Sequence, residues 1–265
     1  MEDIQCQKDE RNISIDRVGV KGLSYPVSLL DRSSGTQNSI GQIEMYVDLP
    51  RDFRATHMSR FIEVMHDYRD EITFPHMKGL LKTIKRKLAA ERAEMKVDFP
   101  YFVEKCAPVS KVRSLMRYDC SFHGILDTVM DFIISVKVPV TSLCPCSKAI
   151  SKYSAHNQRS IISISVRFKK FIWLEELIEI AEQSSSSDIF TLLKRPDEKF
   201  LTEKAYERPR FAEDLVREAA LRLDKHKEIL WYTVSSENIE SIHAHSAYAF
   251  LKKDKRVIKN PNLSE

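Results

Sequence analysis

The chain has 265 residues, enough for one large hydrophobic core or two modest ones, and its apolar (43%) and charged (30%) fractions are those of a globular protein. A formal net charge of +4 falls short of a nucleic-acid-binding signature, yet favours an anionic small substrate over a cationic one. The start of the chain is polar and charged, no apolar run is long enough to span a bilayer, and the five cysteines are scattered; these predict a reduced, cytoplasmic protein with no membrane and no nucleic-acid partner.

Residues 1–12 read as a disordered arm. Asp16–Leu30 has strand character, marked by Val18, Val20, Leu23 and Tyr25. The cluster DRSSGTQNS reads as a hairpin tip, and Ile40–Leu49 resumes extended structure until Pro50 ends it. Met58–Asp70 carries Phe61, Val64, Met65 and Tyr68 at helical spacing, with Thr56 as its cap. Met77–Arg92 repeats the pattern through Met77, Leu80, Leu81, Ile84 and Leu88, opposite a face rich in Lys and Arg. That basic face reads as a solvated surface, with contact to a substrate phosphate as the alternative. Lys96–Glu104 and Val112–Leu126 are extended.

Beyond a boundary near Leu126 the order of strands and helices recurs. Asp131–Val140 and Ser160–Phe168 are strongly β-patterned. Trp173–Gln183 is helical, Ser184–Ser187 is a loop, and Pro209–Lys225 is a longer helix with its proline in the first turn. Leu230–Ser235 and Ile239–Leu251 close as strands. The expected fold class is α+β, with an N-terminal module over 13–126, a C-terminal module over 127–252, and a polar tail over 253–265. Each module would be an antiparallel sheet backed by helices.

The chemistry concentrates on Val138–Ser160. A strand turns at Cys144-Pro145-Cys146, and His156 follows just before the next strand. Two thiols and an imidazole on one connection suit a soft or borderline metal, and the same cysteines also suit small buried hydrophobes. If Ile239–Leu251 is a strand, His243 and His245 share one face about 6–7 Å apart, which fits one ligand and a neighbour aimed at substrate. Pro196–Lys199 has turn chemistry, leaving Glu198 free to reach across a site or simply solvated. Glu213 precedes Val216 and Ala220 on a partly apolar stripe, where burial would raise its pKa for acid–base work. Pairing with Arg210 or Arg217 is its alternative role. Such S, N and O donors suit Zn²⁺, Fe²⁺ or Mn²⁺ with an open position. Spacing alone does not show that they converge.

Four runs carry a resemblance: THMSRF at Thr56–Phe61, SLCPCSKAIS…AHNQRS at Ser142–Ser160, RPDEKFLTEKAYERPRFAED at Arg195–Asp214, and ENIESIHAHSAYA at Glu237–Ala249. They resemble the type IB GTP cyclohydrolases, and the likeness covers nearly the whole chain. It implies two tunnelling-fold modules in tandem and a homo-oligomer, a tetramer, with sites at subunit interfaces. It implies hydrolysis of GTP to formate and 7,8-dihydroneopterin triphosphate, the entry to folates. Cys144, His156, Glu198 and His243 would hold a divalent Zn, Mn or Fe, and Cys146 would be a second active-site thiol. Glu213 would be the acid–base carboxylate, with His156 sharing proton transfer. Glu240 would anchor guanine, its paired acceptors meeting the paired N1–H and 2-amino donors. His245 would face substrate, and Lys148, Arg159 and Arg60 are candidates for the triphosphate. The chain departs from the family pattern at Ser154 and Ala55, where glycine is expected before AHNQR and THMSRF. Rival readings are a cyclic-phosphate product, a tunnelling-fold nitrile reductase acting on preQ0, and a non-catalytic purine- or pterin-binding module.

Overall fold

A computed structural model describes residues 7–68 and 74–256. Among them are eight strands and six helices, an α+β arrangement in which the strands neighbour one another in chain order, with the paired strands antiparallel. Residues 1–6 of the expected arm, the expected end of the first helix at Asp70, and the tail beyond 256 lie outside the described residues. The chain divides into two compact units, Met1–Pro100 with Ser121–Ile133, and Tyr101–Cys120 with Ile134–Glu265.

In the first unit β1 (Ile15–Asp31) and β2 (Gly35–Leu49) are joined by a tighter turn than the polar cluster suggests. Asp31 Oδ1 accepts from the backbone N–H groups of Ser33 (2.8 Å) and Ser34 (2.7 Å). Gly35, at φ 82°, turns the chain back. Thr36–Ser39 therefore continues the strand, in register from Asp31↔Gly35 to Val27↔Ser39, and is not loop. Alternate residues Val27, Leu29, Ile43, Met45 and Val47 fill the core.

Helix α1 (Met58–Asp67) has His57 as its N-cap, so Thr56 stands one residue outside. Helix α2 (Phe74–Leu88) buries Met77, Leu80, Leu81 and Ile84, the spacing the sequence predicts. It can approach the sheet closely because β4 (Arg113–Leu126), which follows β3 (Ala93–Cys106), carries Gly124 beneath it. A Cβ there would stand 2.9 Å from Met77 Cγ and 3.1 Å from Leu81 Cδ1.

Most of β5 (Met130–Leu143) lies in the second unit, where it buries Ile134, Val136, Val138 and Val140. It pairs with β6 (Asn157–Phe168), which pairs with β7 (Ile229–Ile239), and that in turn with β8 (Ser246–Asp254). The helices are α3 (Pro145–Ile150), α4 (Leu174–Ser184), α5 (Arg195–Glu207) and α6 (Ala212–Lys225). α4 and α6 bury the stripes Leu177/Ala181 and Leu215/Ala219/Leu223.

Two further expectations are corrected. The PDEK segment is the first turn of α5 and not a loop, because Pro196 needs no N–H partner there and Asp197 Oδ2 accepts the Lys194 N–H at 2.9 Å. Ile239–Leu251 is not one strand: Ile239 pairs with Ser246, so the chain must reverse over residues 240–245. No helix among the described residues is long and apolar enough to cross a membrane.

Candidate active site

The connection from β5 to β6 starts from a strand end fixed on both sides. The Leu143 N–H donates to Ser186 Oγ at 3.1 Å, and its carbonyl accepts from Arg210 N at 2.9 Å. One step back, the Thr141 carbonyl accepts from Ser186 N (3.1 Å) and Ser187 N (3.2 Å), and Thr141 N donates to Ser187 O at 2.8 Å. Ser184 ends α4 and Ser185–Ser187 form the expected loop, but all four serines are buried. Their hydroxyls and amides satisfy backbone groups that a buried loop would otherwise leave unpaired.

Cys144 then caps α3. Its thiol accepts from Ser147 N at 3.4 Å, with Pro145 in the first turn. Its own N–H donates to the His156 carbonyl at 3.1 Å, closing the connection at its neck. Cys144 and His156 are thus brought together by the backbone. Cys146 is exposed. Ser154 has φ 115°, in the region that favours glycine, whereas Ala55 is absent from the described residues of positive φ. The Ser154 departure noted in the sequence therefore falls where the backbone adopts a conformation that glycine takes more easily.

The other half of the site is the β7–β8 connection. His156 Nδ1 lies 3.1 Å from Ser241 Oγ, which fixes the ring and leaves Nε2 as its open nitrogen. Glu240 is half-buried and its Oε1 accepts from Gln158 Nε2 at 3.3 Å, while the buried Gln158 Oε1 has no protein partner. His243 and His245 are exposed, with stacked rings 5.3 Å apart. They are neighbours as expected, though through a bend and not through strand alternation.

The helical carboxylates are placed differently. Glu198 is exposed in the first turn of α5. Glu213 is exposed in the first turn of α6, outside the buried stripe of Ala212, Leu215, Val216 and Ala220, so the expected burial is absent. Next to Glu198, the fully buried Asp197 accepts from Val109 N (2.8 Å), Ser110 N (2.8 Å) and Ser110 Oγ (2.5 Å). Burial pushes its carboxyl up, but hydrogen bonds from Ser110, Lys194 and Val109 outweigh this and hold it well below the usual range. Asp197 thereby ties the start of α5, and with it Glu198, to the β3–β4 turn.

Lys148 Nζ donates to the Tyr206 carbonyl and lies 4.2 Å from the Tyr206 ring centroid. Arg159 is exposed on β6. Arg60 belongs to the first unit, where it donates to the Lys87 carbonyl at 2.9 Å. A pocket of about 480 Å³ lies between the connection (Leu143, Ser154, Ala155, Asn157) and α5 (Tyr206, Glu207). Among the described residues no group of three or more His, Cys, Asp or Glu is gathered to hold a metal. Cys144 and His156 bring a thiol and an imidazole to the two ends of one backbone hydrogen bond, and no such bond ties Glu198 or His243 to them among the described residues.

Sequence reasoning missed Ser186, Asp197 and Gln158. Gln158 sits inside AHNQR and was open to discovery there; the other two have no compositional signal.

Comparison with known proteins places these features in a family. A model described as type I GTP cyclohydrolase FolE2 matches residues 1–249. The GTP cyclohydrolase FolE2 of Citrifermentans bemidjiense is 53% identical over 96% of this chain and 96% of its own. That of Geobacter sulfurreducens is 53% identical over 97% and 99%. In fold alone, the chain is similar to the urate oxidase of Bacillus subtilis 168 (TM-score 0.53, 8% identity, covering 92% and 99%). It is likewise similar to the uricase of Arthrobacter globiformis (TM-score 0.50, 9% identity, covering 90% and 92%). With its CPC, AHNQR and IHAH segments in place, the chain belongs to the type I GTP cyclohydrolase FolE2 family.

Proposed function

We propose that this chain is a GTP cyclohydrolase, opening the imidazole ring of GTP by hydrolysis to give formate and 7,8-dihydroneopterin triphosphate at the start of folate synthesis. The observation that carries this reading is a relative of that name, 53% identical over 96% of the chain.

The residue roles are those the resemblance implies, and chemistry and placement support several of them. Glu240, held by Gln158, presents acceptors for the guanine N1–H and 2-amino group. His156, its Nδ1 side fixed by Ser241, offers Nε2 either to hold the metal or to carry a proton, and not to both at once. Glu213 is the second acid–base group, Cys146 the thiol held for substrate, and His245 a substrate contact stacked on His243. Lys148 and Arg60 already bind main-chain carbonyls, so the exposed Arg159 is the preferred triphosphate contact. A divalent Zn, Mn or Fe would take Cys144 and His156, with Glu198 and His243 as the further ligands. When bound it supplies a water of lowered pKa.

The proposal extends to tandem tunnelling-fold modules over 13–126 and 127–252, to a homotetramer with sites at subunit interfaces, and to a cytoplasmic location. The exposed apolar residues Tyr248 and Phe250 on the terminal strand β8 support assembly through that edge.

The test is incubation of purified protein with GTP and Mn²⁺ or Zn²⁺. Formate and a fluorescent pterin of triphosphate mass are expected, lost on chelation and restored by metal. Folded protein that yields neither with any divalent metal refutes the reading. A cyclic-phosphate mass would change the product but not the ring opening.

A further inference from the structure

The Lys/Arg face of α2 is not used by the activity above. It borders an open, shallow concavity of about 510 Å³ in the first unit. Lys78, Lys82, Lys85 and Arg86 line it from the helix, and Asp127 and Thr128 line it from the β4–β5 turn. From Lys78 to Arg86 there are eight rises of about 1.5 Å each, roughly 12 Å of helix axis.

Two observations separate this face from an ordinary solvated one. Lys87, next to Arg86, has acidic partners in Asp67 (3.0 Å) and Glu63 (4.0 Å). Lys78, Lys82 and Arg86 have no ion pair among the described residues, and they follow one another at i, i+4 and i+8, where like charges repel. Lys85 meanwhile donates to the Asp127 carbonyl at 2.8 Å, tying the helix to the turn and holding the two walls together. The apolar face of α2, seated over Gly124, keeps the basic face in place.

We propose that this concavity binds a polyphosphate anion, a chain of two or three phosphates such as a nucleoside di- or triphosphate carries. A monoanion reaches only one or two of the cationic heads. An extended phosphate chain spans several, and meets both the forked donors of Arg86 and the Thr128 hydroxyl.

The test is calorimetric titration of inorganic tripolyphosphate into the full chain at low and at raised salt. Binding that weakens with salt is expected. The variant Lys78→Gln/Lys82→Gln/Arg86→Gln should weaken it at least about tenfold, or about 1.4 kcal/mol, with an unchanged or raised melting temperature. Asp127→Asn, which removes a wall carboxylate and keeps the carbonyl that holds Lys85, should tighten it. ATP in place of tripolyphosphate should show the same loss in the triple variant, since the phosphates are what is recognised. Any tripolyphosphate held at the GTP site persists in the triple variant and is displaced by GTP. Equal binding by wild type and triple variant, or no binding by either at low salt, overturns the proposal. Cyclohydrolase activity has no bearing on that outcome.

Discussion

Ser186→Ala tests how the site is held. The hydroxyl accepts the Leu143 N–H at 3.1 Å; Ser186 is 0% exposed and Leu143 3%. Deleting it strands a buried amide donor, a loss of about 1–3 kcal/mol, and leaves a gap too small for a water. The Ser186 and Ser187 amides stay bonded to the Thr141 carbonyl, so the chain should remain folded. Leu143 directly precedes Cys144, and a displacement of about an ångström at a reacting group costs up to about 10²-fold in rate. Equilibrium urea denaturation gives the first quantity, and formate release the second. Ser184→Ala is the control, because its hydroxyl only bonds back to the Ile180 carbonyl within α4. If Ser186→Ala costs no more stability than Ser184→Ala, and activity is unchanged, the pinning argument fails.

Ser154→Gly should stabilise the chain by about 0.5–2 kcal/mol, the strain at φ 115° less the entropy of glycine, read as a higher denaturant midpoint. Gly124→Val should cost about 1–3 kcal/mol by driving a side chain into Met77 and Leu81, measured by thermal melting. Gln158→Leu releases Glu240 and should raise KM for GTP about tenfold with a smaller change in kcat, the pattern of lost substrate binding; an unaltered KM would remove Gln158 from the site. Burial pushes the Asp188 carboxyl up, but its hydrogen bond to Lys204 and the charge of Lys105 outweigh this and hold it below its usual value. Its stabilising contribution is therefore present above the unfolded pKa of about 3.9 and lost as pH falls through the folded value. Acid titration of Asp188→Asn should be flatter in that window than wild type.

The sequence by itself determined the class of the fold and most of its elements, because those depend on local periodicity. The stripe Met77, Leu80, Leu81, Ile84 and the alternation in β5 both survive into the buried core. It also offered Cys144 and His156 as candidate metal donors, with simple burial as the alternative for the cysteine, and the structure joins the two residues by a backbone hydrogen bond at the neck of one connection. Turn-like composition misled it at Pro196–Lys199, where the same residues open a helix once Asp197 can cap it. It misread Ile239–Leu251, because a β-rich run does not say where an antiparallel pair reverses. Glu213 was expected within an apolar stripe, but which face of α6 is covered depends on what packs against it, and Glu213 is left exposed. The roles of Ser186 and Asp197 were decided only by the tertiary structure. Each satisfies backbone groups more than forty residues away in the chain, and a hydrogen bond between distant segments leaves no periodic trace in either.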